Sequence, residues 1–396
     1  MLGLYATDIY GRVPANAPKA SFKVVETDTN ALGGFAIHKH VEIRFGKATN
    51  APVAHLHIYL PTHATKPVPL LLHIVFFSNP PCLDGTDTNS AGPMRRFSEG
   101  GPITNIFAHG YGYATFRYTD IQPDNSNTYH SGVIGLILKP GQAKPASDEW
   151  GAISARARGA SRVLDYLKKD RSVDAKHVAL IGHSRLGKTV LWAGAQDPRF
   201  ALIFSSCAGE MGSSPTRRDH GETIDDMAAN FPWQFAGNFL KYSGHWNDMP
   251  VDAHELIALN APHPVFISGG TQDQCSDPRG EFLAEAAAGP VSLSHRRAHD
   301  HRLRLEIVSR FCRQILATRE PYELQQHSMK PRVLCFLVSC TKRIALNQTG
   351  NHFDALFFAQ FIHGIIMLER SCFVNLKRTY FIIFYLTLFI SYSQYV

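Results

Sequence analysis

The feature that most constrains the fold is a glycine–x–serine turn between a buried strand and a helix. Residues 177–182 form a short apolar run that ends in Gly182, and a helical pattern starts directly after Ser184. A glycine two positions before the serine leaves room for a tight turn. The serine would then project from the carboxyl end of a sheet, with the amide of Arg185 and the helix N-terminus behind it. The pattern predicts a nucleophile elbow. A serine that only caps an ordinary helix fits the same segment, because the second glycine, Gly187, lies one position late.

Up to residue 290 the chain alternates between strand and helix patterns. Apolar runs and alternating apolar and polar residues predict strands, and a longer periodicity predicts helices. Strands that alternate with helices indicate an α/β fold with a mostly parallel sheet and helices on both faces. The predicted strands are Val41–Phe45, Ala54–Leu60, Val68–Phe77, Tyr111–Tyr118, His177–Gly182, Ala201–Ser205 and Pro264–Ser268, and the predicted helices are Glu149–Lys169, 185–196 and Asp277–Ala288.

Composition divides the chain at residue 290. Residues 1–290 carry 26 basic and 27 acidic residues, 28 of the 30 glycines and 21 of the 23 prolines. Residues 291–396, the C-terminal segment, carry 14 basic and 6 acidic residues and four of the seven cysteines. The net charge of +7 therefore arises in the C-terminal segment, and a nucleic-acid partner is not indicated. We expect a globular domain over residues 1–290. The C-terminal segment is either a degraded end of that domain or sequence that is not native coding.

Signals for export, metal binding and a membrane span are absent or weak. The first residues lack the basic and apolar regions of a signal peptide, so the residues alone leave the compartment open. Three cysteines before residue 290 do not make a disulfide framework, and no ligand spacing predicts a metal site. The apolar run Tyr380–Tyr392 has 13 residues, fewer than the ~20 that a spanning helix needs, so a membrane association is the less favoured interpretation.

A serine nucleophile needs a base, and the base needs a carboxylate that orients it. Asp273 follows the predicted strand Pro264–Ser268 after a Gly-Gly-Thr-Gln turn, where the acid of a hydrolase sheet commonly sits. The alternative is a turn aspartate that caps the next helix, but Asp277, directly before Pro278, already fits that role. Asp273 is therefore the candidate acid.

Several longer segments resemble the bacterial-type glucuronoyl esterases, carbohydrate esterase family 15. The longest is Gly182–Ala201, GHSRLGKTVLWAGAQDPRFA, and the others are Tyr10–Pro14, Val24–Asp28, Arg217–Ile224, Asp248–His254, Ala261–Val265 and Asp277–Phe282. The resemblance implies an α/β-hydrolase fold, a three-layer sandwich with a mostly parallel sheet. It also implies hydrolysis of esters between 4-O-methyl-glucuronic acid of xylan and lignin alcohols. The expected enzyme is exported, monomeric and independent of metals and cofactors.

The resemblance implies roles for four residues around the turn. Ser184 matches the nucleophile, and Arg185 matches the arginine whose amide and guanidinium hold the oxyanion. Lys188 and Glu222 match residues that contact the sugar. From the residues alone, a solvated helix lysine and a capping or surface glutamate are the simpler interpretations of these last two.

The chain departs from the family pattern at three places. Cys207 occupies the position of the family's usual acid, so Asp273, the position that some bacterial members use, is expected to replace it. Cys275 stands where an aromatic residue beside the sugar is expected. Arg156 and Arg158 lie where members often carry tryptophan.

The base is expected in the C-terminal segment. His352 has the family's Gly-x-His context before an apolar run and is the candidate, whereas His327 lies closer to the expected distance from Asp273 but lacks that context. If the segment is a shifted reading frame or an unspliced intron, no catalytic histidine exists, and the segment is expected to pack poorly.

The sequence thus predicts a serine carboxylic-ester hydrolase that forms an acyl-enzyme on Ser184. Two alternatives stay open. The first is another esterase, such as an acetyl-xylan esterase. The second is a catalytically impaired or dead member that only binds carbohydrate, because the base is uncertain.

Overall fold

The computed structural model describes residues 1–77 and 103–288, and the backbone of Ser292–His295. The described residues belong to one compact unit. The predicted loop at 78–101 lies outside the described residues, and so do His327, His352 and the apolar run 380–392. The predicted boundary at residue 290 and the expected poor packing of the C-terminal segment stay predictions.

A nine-stranded sheet crosses the described part of the chain. Its strands are β1 (Ala20–Ala31), β2 (Ala36–Phe45), β3 (Val53–Pro61), β4 (Val68–Val75), β5 (Gly112–Arg117), β6 (Val173–His183), β7 (Leu202–Ser206), β8 (Val265–Ser268) and β9 (Ser292–His295). Their order in the sheet is β1-β2-β3-β5-β4-β6-β7-β8-β9. Strands β1, β2, β3 and β5 pair antiparallel, and the strands from β5 onward in that order pair in parallel. The parallel strands therefore end at one common edge.

Helices cover both faces of the sheet. They are α1 (Leu2–Leu4), α2 (Ile103–Ala108), α3 (Ala152–Leu167), α4 (Arg185–Gln196), α5 (Ile224–Asn230), α6 (Ala253–Ala258) and α7 (Pro278–Ala288). Alternate residues of β4 and β6 belong to different apolar clusters, as a sheet buried on both sides requires. Leu70, Leu72, Val178 and Leu180 pack with residues of α3 and α4, whereas Leu71, Ala179 and Ile181 pack with residues of α2.

The predicted α/β architecture with a mostly parallel sheet is confirmed. Each predicted strand and helix has a counterpart that differs by a few residues at its ends. The strand β1 was not predicted, because it lies at the sheet edge and most of its residues are exposed, so it lacks the apolar alternation of a half-buried strand. None of the helices that the structure describes is both long enough and apolar enough to span a membrane.

Candidate active site

Ser184 lies in the tight turn that joins β6 to α4. Its backbone has φ 56° and ψ −127°, a region that non-glycine residues rarely occupy and that costs about 1–3 kcal/mol. A Cβ on Gly182 would lie 2.2 Å from the carbonyl oxygen of Leu186, and one on Gly187 would lie 3.0 Å from that of Ser206. The close approach of backbone to backbone explains both glycines, including the second one at its displaced position. The serine stands in a strained strand–turn–helix, as a nucleophile elbow requires.

Backbone hydrogen bonds join the Ser184 turn to the end of β7, and the end of β7 to the end of β8. The Ser184 amide donates to the carbonyl of Ser206 at 2.8 Å, and the Cys207 amide donates to the carbonyl of Ser268 at 2.7 Å. The ends of β6, β7 and β8 therefore lie side by side, and the loop that carries Asp273 leaves from the last of them. Topology thus brings the predicted nucleophile, the cysteine at the usual acid position and the alternative acid to one edge.

Arg185 is held beside the serine by a carboxylate from a distant loop. Asp124, in the loop after β5, forms ion pairs with the guanidinium groups of both Arg185 and Arg156, the latter at 2.9 Å. The guanidinium of Arg185 also lies 5.2 Å from the centre of the Phe231 ring, within the range of a cation–π contact. The Nε of Arg185 has no hydrogen-bond partner among the described residues. This nitrogen is itself buried, whereas the side chain as a whole is 28% exposed beside the turn that carries Ser184.

Asp124 is nearly buried, and burial by itself raises the pKa of a carboxyl. The two guanidinium groups outweigh this effect, so the pKa of Asp124 lies below its ordinary value. Trp233 Nε1 donates to the same carboxylate at 3.1 Å. Arg156 is fully buried and also donates to the carbonyl of Gln122 at 2.9 Å from Nη2. Asp124 therefore links a buried arginine of α3 to Arg185 beside the serine.

Lys188 lies on α4 one turn after the serine and is 3% exposed. Burial lowers its pKa to about 8, against the opposing effect of nearby Glu222 and Glu210. None of the described residues accepts a hydrogen bond from its ammonium group. Glu222 is partly exposed, and its backbone amide donates a hydrogen bond to the carbonyl of Cys275 at 3.0 Å, whereas none of the described residues donates to its carboxylate. Lys188 is therefore not the solvated helix lysine that the residues alone suggested. An ammonium and a carboxylate, neither of which has a hydrogen bond from its side chain to a described residue, lie near one another.

Two buried glutamates, Glu210 and Glu281, lie near Lys188. Glu210 accepts a hydrogen bond from Thr216 at 2.5 Å, and Glu281 accepts one from Ser213 at 2.6 Å. Burial raises the pKa of each to about 7, although the charge of Lys188 opposes the shift. Sequence reasoning gave neither residue a role, because both lie far from Lys188 along the chain and no local pattern marks them.

Asp273 is partly exposed and follows β8, as predicted. Its carboxylate accepts hydrogen bonds from the hydroxyl of Ser276 at 2.7 Å and from the amide of the same residue at 3.4 Å. Asp277 caps α7 through the amide of Gly280 at 3.0 Å and pairs with Arg218 at 2.6 Å. Both aspartates therefore have structural contacts, and Asp273 caps its own short turn.

No histidine of the described ranges donates to or accepts from Ser184 or Asp273. His183, next to the serine, contacts the hydroxyl of Ser206 at 3.3 Å. The candidate base His352 and its alternative His327 lie outside the described residues, so the role of each stays a prediction. Within the described ranges, no group of three or more His, Cys, Asp and Glu side chains is arranged to hold a metal ion.

Comparisons with known proteins give a consistent result. A family model described as "Glucuronyl esterase, fungi" matches residues 100–291, a range that includes Ser184 and Asp273. The chain is 39% identical over 307 residues to carbohydrate esterase MZ0003 from an unknown prokaryotic organism. The match covers 73% of this chain and 71% of that protein.

Solved structures are similar over most of their length. A glucuronoyl esterase from Solibacter usitatus has a TM-score of 0.69 and 37% sequence identity, with 79% of this chain and 91% of that chain covered. A promiscuous CE15 esterase from a marine bacterial metagenome has a TM-score of 0.68 and 34% identity, with 79% and 89% covered. The expected α/β-hydrolase fold is thereby confirmed.

Proposed function

The chain belongs to carbohydrate esterase family 15, and from this premise we propose that it is a serine hydrolase of glucuronoyl esters. The substrate class is the esters of 4-O-methyl-glucuronic acid in lignin–xylan complexes, as the family resemblance implies. The observation that carries the proposal is the strained elbow that presents Ser184 next to the guanidinium of Arg185.

The proposed reaction begins with attack of Ser184 Oγ on the ester carbonyl carbon. The serine proton passes to a base, and the carbonyl oxygen becomes an oxyanion. The amide of Arg185, at the N-terminus of α4, and its guanidinium stabilise that charge. The alcohol then leaves with a proton, and water hydrolyses the acyl-enzyme by the reverse sequence.

Lys188 and Glu222 are proposed to bind the hydroxyl groups of the sugar ring. A buried ammonium without a hydrogen-bond acceptor among the described residues gains contacts when it meets hydroxyl oxygens. The partly exposed carboxylate of Glu222 accepts hydrogen bonds from the same kind of group. This pair favours a polyhydroxylated acyl part over an acetyl group, which offers no hydroxyl to bind.

Asp273 is proposed as the acid that orients the base, since Cys207 cannot act as a carboxylate. Its contact with Ser276 resembles the hydrogen bonds that hold an orienting carboxylate in place. Asp273→Asn should then lower kcat by a factor on the order of 10⁴. Cys207→Glu in that background should restore part of the loss, because the two positions lie at adjacent strand ends. If Asp273→Asn leaves kcat nearly unchanged while Glu210→Gln abolishes turnover, the assignment of Asp273 as the orienting acid is wrong.

His352 is proposed as the base. His352→Gln should abolish turnover of a methyl or benzyl glucuronate ester, and His327→Gln should leave it unchanged.

Substrate profiling against acetyl esters distinguishes this activity from that of an acetyl-xylan esterase. We further propose that the enzyme acts as a monomer, which analytical ultracentrifugation tests.

A second candidate function is carbohydrate binding without turnover. It rests on Cys207, which stands where the family resemblance implies the usual acid and cannot orient a base as a carboxylate does. Two experiments distinguish these functions: labelling with a serine-directed phosphonate, and binding to glucuronoxylan. An active enzyme is labelled, and Ser184→Ala abolishes the label. A protein that binds the polysaccharide, is not labelled and loses binding in Glu222→Gln supports the second candidate instead.

A further inference from the structure

Four histidines line one face of the antiparallel strands β2 and β3. His38 and His40 alternate along β2, and His55 and His57 alternate along β3. The register places His40 opposite His57, so side chains from both strands share one face. The imidazole rings follow one another across the strand pair: His38 to His57 at 5.3 Å, His57 to His40 at 4.7 Å and His40 to His55 at 5.1 Å between ring centres.

The rings are joined through facing nitrogens in two pairs. His38 Nε2 lies 3.0 Å from His57 Nδ1, and His40 Nε2 lies 2.9 Å from His55 Nδ1. The second pair is exposed to solvent, whereas the first is partly buried. A neutral imidazole carries its proton on either nitrogen, so both rings of the exposed pair can direct lone pairs at one another. Without a metal ion, one of the two nitrogens donates its N–H to the lone pair of the other; when both protons lie on the far nitrogens, a metal ion can take the place of that hydrogen bond.

The spacing of the exposed pair fits a metal ion whose nitrogen ligands lie about 90° apart. A metal ion bound at 2.0–2.1 Å to two nitrogens, with an angle near 90°, separates these nitrogens by about 2.8–3.0 Å. A tetrahedral angle would need a separation of about 3.3–3.4 Å. Tetragonal nitrogen and oxygen coordination is typical of Cu²⁺, which also binds such ligands more tightly than the other divalent ions of its row. We propose that His40 and His55 form a surface chelate site for a Cu²⁺ ion.

Two carboxylates lie on the strands next to these histidines. Glu42 is the register partner of His55 on β2, and Glu26 is the register partner of His40 on β1. Directly opposed residues lie on the same face of a sheet, so each histidine has an acidic neighbour across a strand. Since no three potential ligands converge within the described part of the chain, the ion has two protein nitrogens and water in the remaining positions, and the carboxylates contribute only their negative charge.

The site is separate from the candidate active site. Two strands, β5 and β4, lie between β3 and β6, which places the two strands about 14 Å apart across the sheet. An ion bound at His40 and His55 therefore does not contact Ser184. The proposal is independent of the esterase reaction, and its test needs no turnover.

The test is titration of the full chain with CuCl₂ in a buffer that does not bind copper. Electron paramagnetic resonance should show two equatorial nitrogen ligands for the first ion bound. His40→Gln and His55→Gln should each weaken binding of this ion at least 10-fold. His63→Gln is the matched control, because His63 is exposed in the loop after β3, and it should leave the affinity unchanged. Ca²⁺, which prefers oxygen ligands, should not compete.

A second measurement uses the wild-type protein, in case a histidine variant fails to fold. Diethyl pyrocarbonate modifies exposed imidazoles, and mass spectrometry locates the modified residues. One equivalent of Cu²⁺ should protect His40 and His55 but not His63. Equal protection of all three, or an affinity that neither histidine variant changes, would overturn the proposal.

Discussion

Asp124→Asn is predicted to destabilise the fold far more than a typical loss of one ion pair. The carboxylate of Asp124 binds two arginines at once, and the side chain of one of them, Arg156, is 0% exposed. The amide of asparagine occupies the same space but carries no charge. The variant would therefore leave a fully buried guanidinium with only neutral hydrogen-bond acceptors, such as the carbonyl of Gln122.

The magnitude follows from the burial of the pair. Removing one partner of a buried ion pair costs about 3–5 kcal/mol, because the remaining charge stays out of water. Arg156 keeps its bonds to the carbonyls of Gln122 and Pro123, which places the expected loss near the lower end, at about 3 kcal/mol. Asp120→Asn in the same loop is the control, since its partner Arg117 is 47% exposed and such pairs contribute about 0–1 kcal/mol.

The assay is urea unfolding of the wild type and both variants, followed by tryptophan fluorescence and circular dichroism. We expect the midpoint to fall clearly for Asp124→Asn and hardly at all for Asp120→Asn. The double variant Asp124→Asn/Arg156→Met should be less destabilised than the sum of the two single variants, because the uncompensated charge is then gone. Equal free energies of unfolding for the two aspartate variants would refute the reasoning.

Three further predictions concern the turn and the histidine face. Ser184→Gly should exceed Ser184→Ala in stability by about 1 kcal/mol in urea unfolding, because glycine relieves the strain of the positive φ; equal stabilities would contradict the strain. Gly182→Ala should lower the yield of soluble protein sharply, since its Cβ would meet the carbonyl oxygen of Leu186 at 2.2 Å, whereas a soluble variant with an unchanged urea midpoint would show that the turn can adjust. Burial, followed by the neighbouring imidazoles, lowers the pKa of His57 to about 4. The folded state thus binds fewer protons than the unfolded state, and stability should fall by about 1–2 kcal/mol as pH drops from about 6.5 to 4, given partial screening. His57→Gln should flatten this part of the pH profile.

The fold could be predicted from the sequence largely because its central strands are buried on both sides. Apolar runs such as those of β4 and β6 can be recognised in the sequence without knowing which strands they pair with. The exposed edge strand β1 has no such signal, since its place depends on pairing with β2 rather than on burial.

Only the part of the candidate site whose residues lie close together in the sequence could be predicted. The turn at Ser184 could be found because its two glycines and its strand lie within a few residues. Asp124 and Glu281 could not be found, because each meets its partners across a long stretch of chain and a loop aspartate or a helical glutamate is common. The contact between Asp273 and Ser276 spans three residues and was in principle visible as a turn signature.

The backbone bonds that join the Ser184 turn to the end of β7, and the end of β7 to that of β8, bear on where such a site can carry its acid. These bonds run from Ser184 to Ser206 and from Cys207 to Ser268, and they involve no side chain. Mutation at either strand end can therefore add or delete a carboxylate without displacing the serine. If Asp273 orients the base, as proposed, a residue without a carboxylate at the end of β7, such as Cys207, is compatible with catalysis.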